Sequence, residues 1–338
     1  EMLANIATQR INTESSFKMR YGVDGSPVAF VVDVNNDGNL NKPDGDEAYV
    51  YFGLRRGGFS YYALDVSDPT LPPTLKWKIS PTTGGDFDGM GLTFSVPVVG
   101  KVKYGGHARD VLIFGGGYNG GWDSNYTARV GKDAGDEDDV VGNALFIIDA
   151  RTGELIWKAV NGSKVATDNT YYHKDLTDSI PSSVTALENG NGIVDRLYVG
   201  DTGGAIWRVD LPEGSTPEHR KNNWYISKFA ELGTDGLTTD RRFFHPPDVV
   251  RTFDDNGNFD GVLISSGDRA HPNDLDVVNY LIYIKDRNTA SGDHTVRFRA
   301  PLTISSAHLP DQTSCINGDE GSGNCATSLP YGWKVELK

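Results

Sequence analysis

Apolar residues along this chain fall into short runs of strand length, and helical periodicity is almost absent. Runs such as Val28 to Val32, Tyr49 to Phe52, Val111 to Phe114 and Leu197 to Val199 are bounded by Gly, Asn or Asp, residues that favour tight turns. Four stretches share one plan. A Ser or Pro precedes a valine strand in SPVAFVVDV from Ser26, SVPVVGKV from Ser95, SSVTAL from Ser182 and PPDVVRTF from Pro246. A polar turn then leads to a second strand running into glycine, in YVYFGL, VLIFGGG, LYVGD and VLISSGD. A third strand closes on aspartate, at Asp65, Asp149, Asp210 and Asp286. A fourth carries tryptophan in three repeats, at Trp77, Trp157 and Trp224, and continues more weakly in the last as TVRFRA, 295–300.

Four antiparallel strands repeated with variable loops predict an all-β chain folded as a β-propeller, because stacked blades cover one another's faces and leave only short edges. Four repeats are clear. Residues 1–25 and 288–338 hold room for further irregular strands, so the count runs from four up to seven blades. Two stacked β-sandwiches are the alternative, but sandwich strands would not repeat one four-strand order with the same end residues. No linker rich in Pro, Ser or Gly divides the chain, which predicts one domain over residues 1–338.

Composition narrows the function. Of 338 residues, 40 are glycine, about 12% against roughly 7% in an average chain, with no collagen period. The formal net charge is -14; an acidic surface without a basic stripe excludes nucleic acid and anionic lipid as partners. No apolar run reaches the roughly 18 residues of a membrane helix, so no membrane insertion is expected. The two cysteines, Cys315 and Cys325, lie in the polar stretch CINGDEGSGNC, which predicts a disulfide and an oxidising compartment. The opening EMLANIATQR has no charged segment followed by an apolar core, and the chain reads as part of a longer exported protein.

The sharpest local motif runs from Asp33 to Asp44, DVNNDGNLNKPD. It fits the calcium-loop spacing D-x-[DN]-x-[DN]-G-x5-E with Asp44 in the last place. Calcium takes six to eight oxygens, and glycine permits the sharp turn that aims alternate residues inward. Asp33, Asn35 and Asp37 would give side-chain oxygens and Asn39 a backbone carbonyl. Asn41 would ligate directly or through water, and Asp44, or Asp46 or Glu47 in its stead, would close the shell. The competing reading is an Asx/Gly turn that needs no metal. Two turns at the same place in later repeats look like worn copies: 187–195, with Asn189, Asn191 and Asp195, and 252–260, with Asp254, Asn256 and Asp260. Each lacks the first carboxylate and reads as a turn, the former being the second metal candidate. The acidic run 133–139 reads as a solvated insertion.

Enzyme motifs mostly fail. Asp201-Thr202-Gly203 matches the aspartic protease triplet, but no second copy exists to share the proton, so it reads as a blade turn. No HExxH, GxSxG or phosphate-binding loop is present, and His245 and His271 each precede proline in loops. The stretch from Ala144 to Trp157, ALFIIDARTGELIW, resembles the tryptophan-docking repeat of quinoprotein dehydrogenase propellers, where tryptophan packs between blades. An exported quinoprotein dehydrogenase is therefore the alternative function, although no adjacent cysteine pair accompanies the motif.

Taken together, YGVDGSPVAFVVDVNNDG, GLRRGGFSYYALDVSDP, GNALFIIDARTGELIW and GIVDRLYVGDTGGAIWRVDL resemble the C-terminal propeller of the PilC/PilY family of type IV pilus tip proteins, over about Tyr21 to Asp286. That resemblance implies a large exported protein at the cell surface or pilus tip, reached through the periplasm. It also implies association with minor pilins, attachment to a host-cell or abiotic surface, calcium-regulated pilus extension and retraction, and no catalysis. The family's calcium loop commonly lies just before LYxGD; here that place keeps Asn189, Asn191 and Asp195 but has Leu187 where its first Asp belongs. The intact pattern sits instead at Asp33 to Asp44.

Overall fold

The computed structural model describes residues 21–104, 106–120, 138–212, 223–234, 236, 238–270, 272–273, 275–289, 303–316, 325–326 and 328–337. Within them the strands assemble into four separate sheets. Blade 1 is β1 (Val28–Val32), β2 (Glu47–Gly53), β3 (Tyr61–Asp65) and β4 (Thr74–Ile79), each antiparallel to the next. Blade 2 is β5 (Val98–Tyr104), β6 (His107–Gly115), β7 (Ala144–Asp149) and β8 (Leu155–Asn161), with β9 (Thr170–His173) added in parallel at the edge. Blade 3 is β10 (Thr185–Glu188), β11 (Val194–Gly200), β12 (Ala205–Asp210) and β13 (Tyr225–Glu231). Blade 4 opens with β14 (Asp248–Asp254), β15 (Gly257–Ser265) and β16 (Tyr280–Asp286). The three leading strands of every repeat lie where the sequence places them.

The last blade is completed differently from the expectation. Its fourth strand is β18 (Gly332–Glu336), antiparallel to β16, while 295–300 lies outside the described residues. β17 (Ile304–Ser305) pairs in parallel with β13 on the edge of blade 3. The C-terminal region thus adds edge strands to existing blades. The Cys315–Cys325 disulfide, with Cα atoms 5.7 Å apart, lies between β17 and β18 and is formed as expected.

Three hydrophobic clusters glue neighbouring blades face to face. Strand alternation sends consecutive side chains to opposite faces. In blade 2, Phe114 and Phe146 pack with Tyr51, Tyr61 and Trp77 of blade 1, whereas Ile113 and Ile147 pack with Leu197 and Trp207 of blade 3. Blade 3 in turn sends Tyr198, Ile206 and Phe229 against Val262, Ile264 and Ile284 of blade 4. Hence β11 and β12 are buried at every position, while β3 and β16 alternate between buried and half-buried. No helix among the described residues is long and apolar enough to cross a membrane.

Tryptophan docking is visible at the first junction. The Trp77 indole N–H donates to the Ala150 carbonyl at 3.2 Å, and its ring lies where a Cβ on Gly153 would stand 2.9 Å away. Tyr51 donates to the same carbonyl at 2.9 Å. Ala150 and Gly153 of the motif shared with quinoprotein propellers thus form the seat of Trp77.

Candidate metal centre

The Asp33–Asp44 loop joins β1 to β2 on the rim of blade 1. The carboxylate of Asp33 accepts backbone N–H groups from Asp37 at 3.3 Å and Gly38 at 2.8 Å. The Asn35 side-chain oxygen accepts the Asp37 N–H at 3.0 Å, and the Asp37 carboxylate accepts the Asn39 N–H at 2.7 Å. Gly38 makes this coil possible with φ +79°, in the left-handed region that glycine enters without penalty. In the second half, Asn41 donates its side-chain amide to Asp44 at 2.8 Å, across a single 3-10 turn at Lys42–Asp44.

Asp46 ties the halves together. It is 3% exposed, and its two oxygens accept the N–H groups of Val34 at 2.9 Å and Asn41 at 2.8 Å. Glu47 is engaged by Tyr49 at 3.0 Å and by Arg151 at 2.7 Å. Neither is free to replace Asp44. Asp33, Asn35 and Asp37 therefore form one group and Asn41 with Asp44 a second. Among the described residues no three Asp, Glu, His or Cys side chains gather in a geometry fit to hold a metal ion. A cation here would draw its remaining oxygens from Asn35, Asn41 and the Asn39 carbonyl. The donor set suits it: all oxygen, exposed except for half-buried Asp33, and with no described lysine or arginine paired to Asp33, Asp37 or Asp44. The nearest in sequence, Lys42, lies 3.9 Å from Asp65.

The two worn copies share this turn's geometry. Each joins the first and second strands of its blade. Asn189 accepts the Asn191 N–H at 2.9 Å, and Asp254 accepts the Asn256 N–H at 3.0 Å, as Asn35 does with Asp37. Gly192 and Gly257 follow with φ +72° and +107°. Their carboxylates differ in being paired. Asp195, buried, meets the Arg251 guanidinium at 3.2 Å. Asp254 is held by Arg287 at 2.6 Å and Lys285 at 3.1 Å, and these two, Arg287 foremost, keep its carboxyl well below the usual carboxylate range.

Other sequence candidates resolve into structure. Asp139, at the end of the acidic run, is buried rather than solvated and accepts the Ser179 N–H at 2.7 Å; 133–137 lie outside the described residues. Asp201 accepts N–H groups from Gly203 at 3.0 Å, Ala205 at 2.8 Å and the Trp207 indole at 2.6 Å, as a blade turn would. Burial, then neighbouring Asp178, push its carboxyl up to about 7. His245 is exposed, and His271 lies outside the described residues. Sequence reasoning missed a buried polar seam between blades 3 and 4. There Arg208 meets Asp210 and Asp286, each at 2.7 Å, Arg196 pairs with Asp260, and the Tyr198 hydroxyl donates to Asp286 at 2.7 Å. The signal was present as arginines in otherwise apolar strands, DRLYVG and AIWRVD.

Comparison with known proteins agrees with this architecture. The chain is 30% identical over 211 residues to the type IV pilus biogenesis factor PilY1 of Pseudomonas aeruginosa, an alignment covering 62% of this chain and 14% of that protein. It is 27% identical over 183 residues to a type IV pilus biogenesis factor PilY1 homolog of Xylella fastidiosa, covering 54% and 10%. The chain thus spans about a seventh or less of the length of these curated relatives. The crystal structure of the Pseudomonas aeruginosa PilY1 C-terminal domain superposes with a TM-score of 0.60 at 19% identity, over 94% of this chain and 63% of that one, a likeness of fold. A family model described as the PilY1 β-propeller domain matches residues 8–230, more than half of the chain, and the protein belongs to that family.

Proposed function

We propose that this propeller serves the type IV pilus as a calcium-responsive module of an exported, surface-located protein, without catalytic activity of its own. The observation that carries the calcium reading is the exposed blade 1 loop, in which Asp33, Asp37 and Asp44 have no cationic partner among the described residues. Carboxylates held close together without a counter-charge repel one another, and an oxygen-seeking divalent ion relieves that repulsion. Asp33, Asn35 and Asp37, the Asn39 carbonyl, Asn41 and Asp44 would hold it. Asp33 and Asp46 already organise the backbone around the site, so binding draws in the Asn41–Asp44 half with little further rearrangement.

The pilus reading draws on the family and on its named relatives. A rim hairpin that stiffens on binding calcium presents a steadier surface to a minor pilin or to a host-cell or abiotic ligand. The size of the effect is limited by the difference in calcium affinity between the two loop states, so a graded change in extension, retraction and attachment is expected. Calorimetry on the wild-type chain should give one main calcium site, lost in Asp33→Ala plus Asp37→Ala. In the full-length protein the same pair of substitutions should leave export intact and alter twitching motility or surface attachment. Wild-type calcium stoichiometry in the double variant, or unchanged motility and adhesion, would reduce the loop to an ordinary turn.

A further inference from the structure

The same turn recurs on three blades, yet its charge is balanced in different ways. In blade 1, Asp33, Asp37 and Asp44 have no lysine or arginine partner among the described residues. In blade 3, Arg251 reaches across from β14 of the next blade. One terminal nitrogen donates to the Glu188 carbonyl at 2.7 Å, and the other to Asp195 at 3.2 Å. Its Nε stands 3.8 Å from Asp260, the matching carboxylate of the blade 4 turn. Asp260 is also paired with Arg196. In blade 4, Asp254 takes both terminal nitrogens of Arg287, at 2.9 and 2.6 Å, and Lys285 at 3.1 Å. Asp195, Asp254 and Asp260, the carboxylates at the motif positions of the two later turns, therefore each have a side-chain cation.

We infer that Arg251 is the built-in cation of the Asn189–Asp195 turn, and that Arg287 with Lys285 plays the same part at Asp254, so that these two turns are metal-independent. The chemistry follows from the ligands. A loop carbonyl and a loop carboxylate are hard oxygen donors of the kind that converge on calcium. Here they converge on a guanidinium, whose planar fork can satisfy two acceptors at once. A tethered cation needs no ionic supply and is not lost to chelation. It also bridges two blades, since Arg251 belongs to β14 and its acceptors to the β10–β11 turn. Metal responsiveness in the three turns is then confined to blade 1. That last step rests on the calcium reading above; the assignment of Arg251 does not.

The test keeps the two apart. In the whole chain with chelator present, Asp195→Asn, Arg251→Gln and their combination are compared by urea unfolding. A cation serving this turn gives singles that each lower the folding equilibrium constant and a double that falls short of their product by about fivefold or more. Arg251→Lys, which keeps charge but loses the fork, should recover only part of the loss. Independent, multiplicative effects would overturn the assignment. Separately, calcium is titrated into Asp33→Asn plus Asp37→Asn, in which Arg251 and Arg287 are intact. No uptake at the later turns is expected. Uptake abolished by adding Asp195→Asn or Asp254→Asn would show a metal site where a guanidinium is assigned, and would overturn the inference.

Discussion

Asp46 shows how a residue outside the proposed ligand set can decide what a loop does. Its buried carboxylate accepts one N–H from each half of the blade 1 loop, so Asp46→Ala leaves two backbone donors without their acceptor. The expected cost is about 1–3 kcal/mol in chelator, accompanied by weaker calcium binding, whereas exposed Asp37→Ala should cost about 0.5 kcal/mol or less. Urea unfolding and calorimetry on both variants check this; equal costs would remove Asp46 from its role. Asp201 gives a prediction in pH. Burial pushes its carboxyl up to about 7 in the folded state, above the roughly 4 of a solvent-exposed aspartate, so the folded state holds this proton more tightly than the unfolded chain does. Its contribution favours the fold below about pH 4 and is lost as pH rises towards about 7. Asp201→Asn should flatten the decline of stability across that window, read as the urea midpoint against pH, and an unchanged slope would refute it.

At the level of strands and turns, the junction between blades 1 and 2 depends on Gly153. Its φ of +75° and its contact with the Trp77 ring leave no place for a Cβ. Gly153→Ala should destabilise by about 1–3 kcal/mol and shift the fluorescence of the protein as Trp77 is displaced; a silent variant would mean that the turn yields easily. The leading strands were legible because each carries its own pattern, β-branched residues between turn formers, and the pattern repeats. β18 was not. An outer strand covers only the edge of its sheet, so its apolar signal is weak, and partner choice depends on residues far away in the chain. The turn motif was equally legible, down to the glycine at the same place on three blades. What decided the fate of its carboxylates was not. Arg251 and Arg287 lie outside the turns they balance, and the pairing of Arg251 with Asp195 exists only because two blades stack.

In the molecule as a whole, the segment from β17 to β18 joins blade 3 to blade 4, with the Cys315–Cys325 bridge between the two strands. Thiol titration of the unfolded, unreduced chain should find no free thiol. Reduction should cost at most about 3 kcal/mol by the loop-entropy estimate, with faster hydrogen exchange appearing first at the β18 amides; a loss of protection spread evenly over all four blades would contradict this local role. The placement of β18 also sets an order of events in time. Blades 1 to 3 obtain their four leading strands from consecutive stretches of chain, so each can zip up as soon as its own residues are available. Blade 4 must wait with the edge of β16 unpaired until the chain beyond Asp286 has closed a long loop, and long-range pairing of this kind is slow. A chain emerging amino end first would therefore pass through a stage in which the edges of β13 and β16 both await partners from the C-terminal segment, an aggregation-prone interval in which a chaperone has bare strand edges to shield.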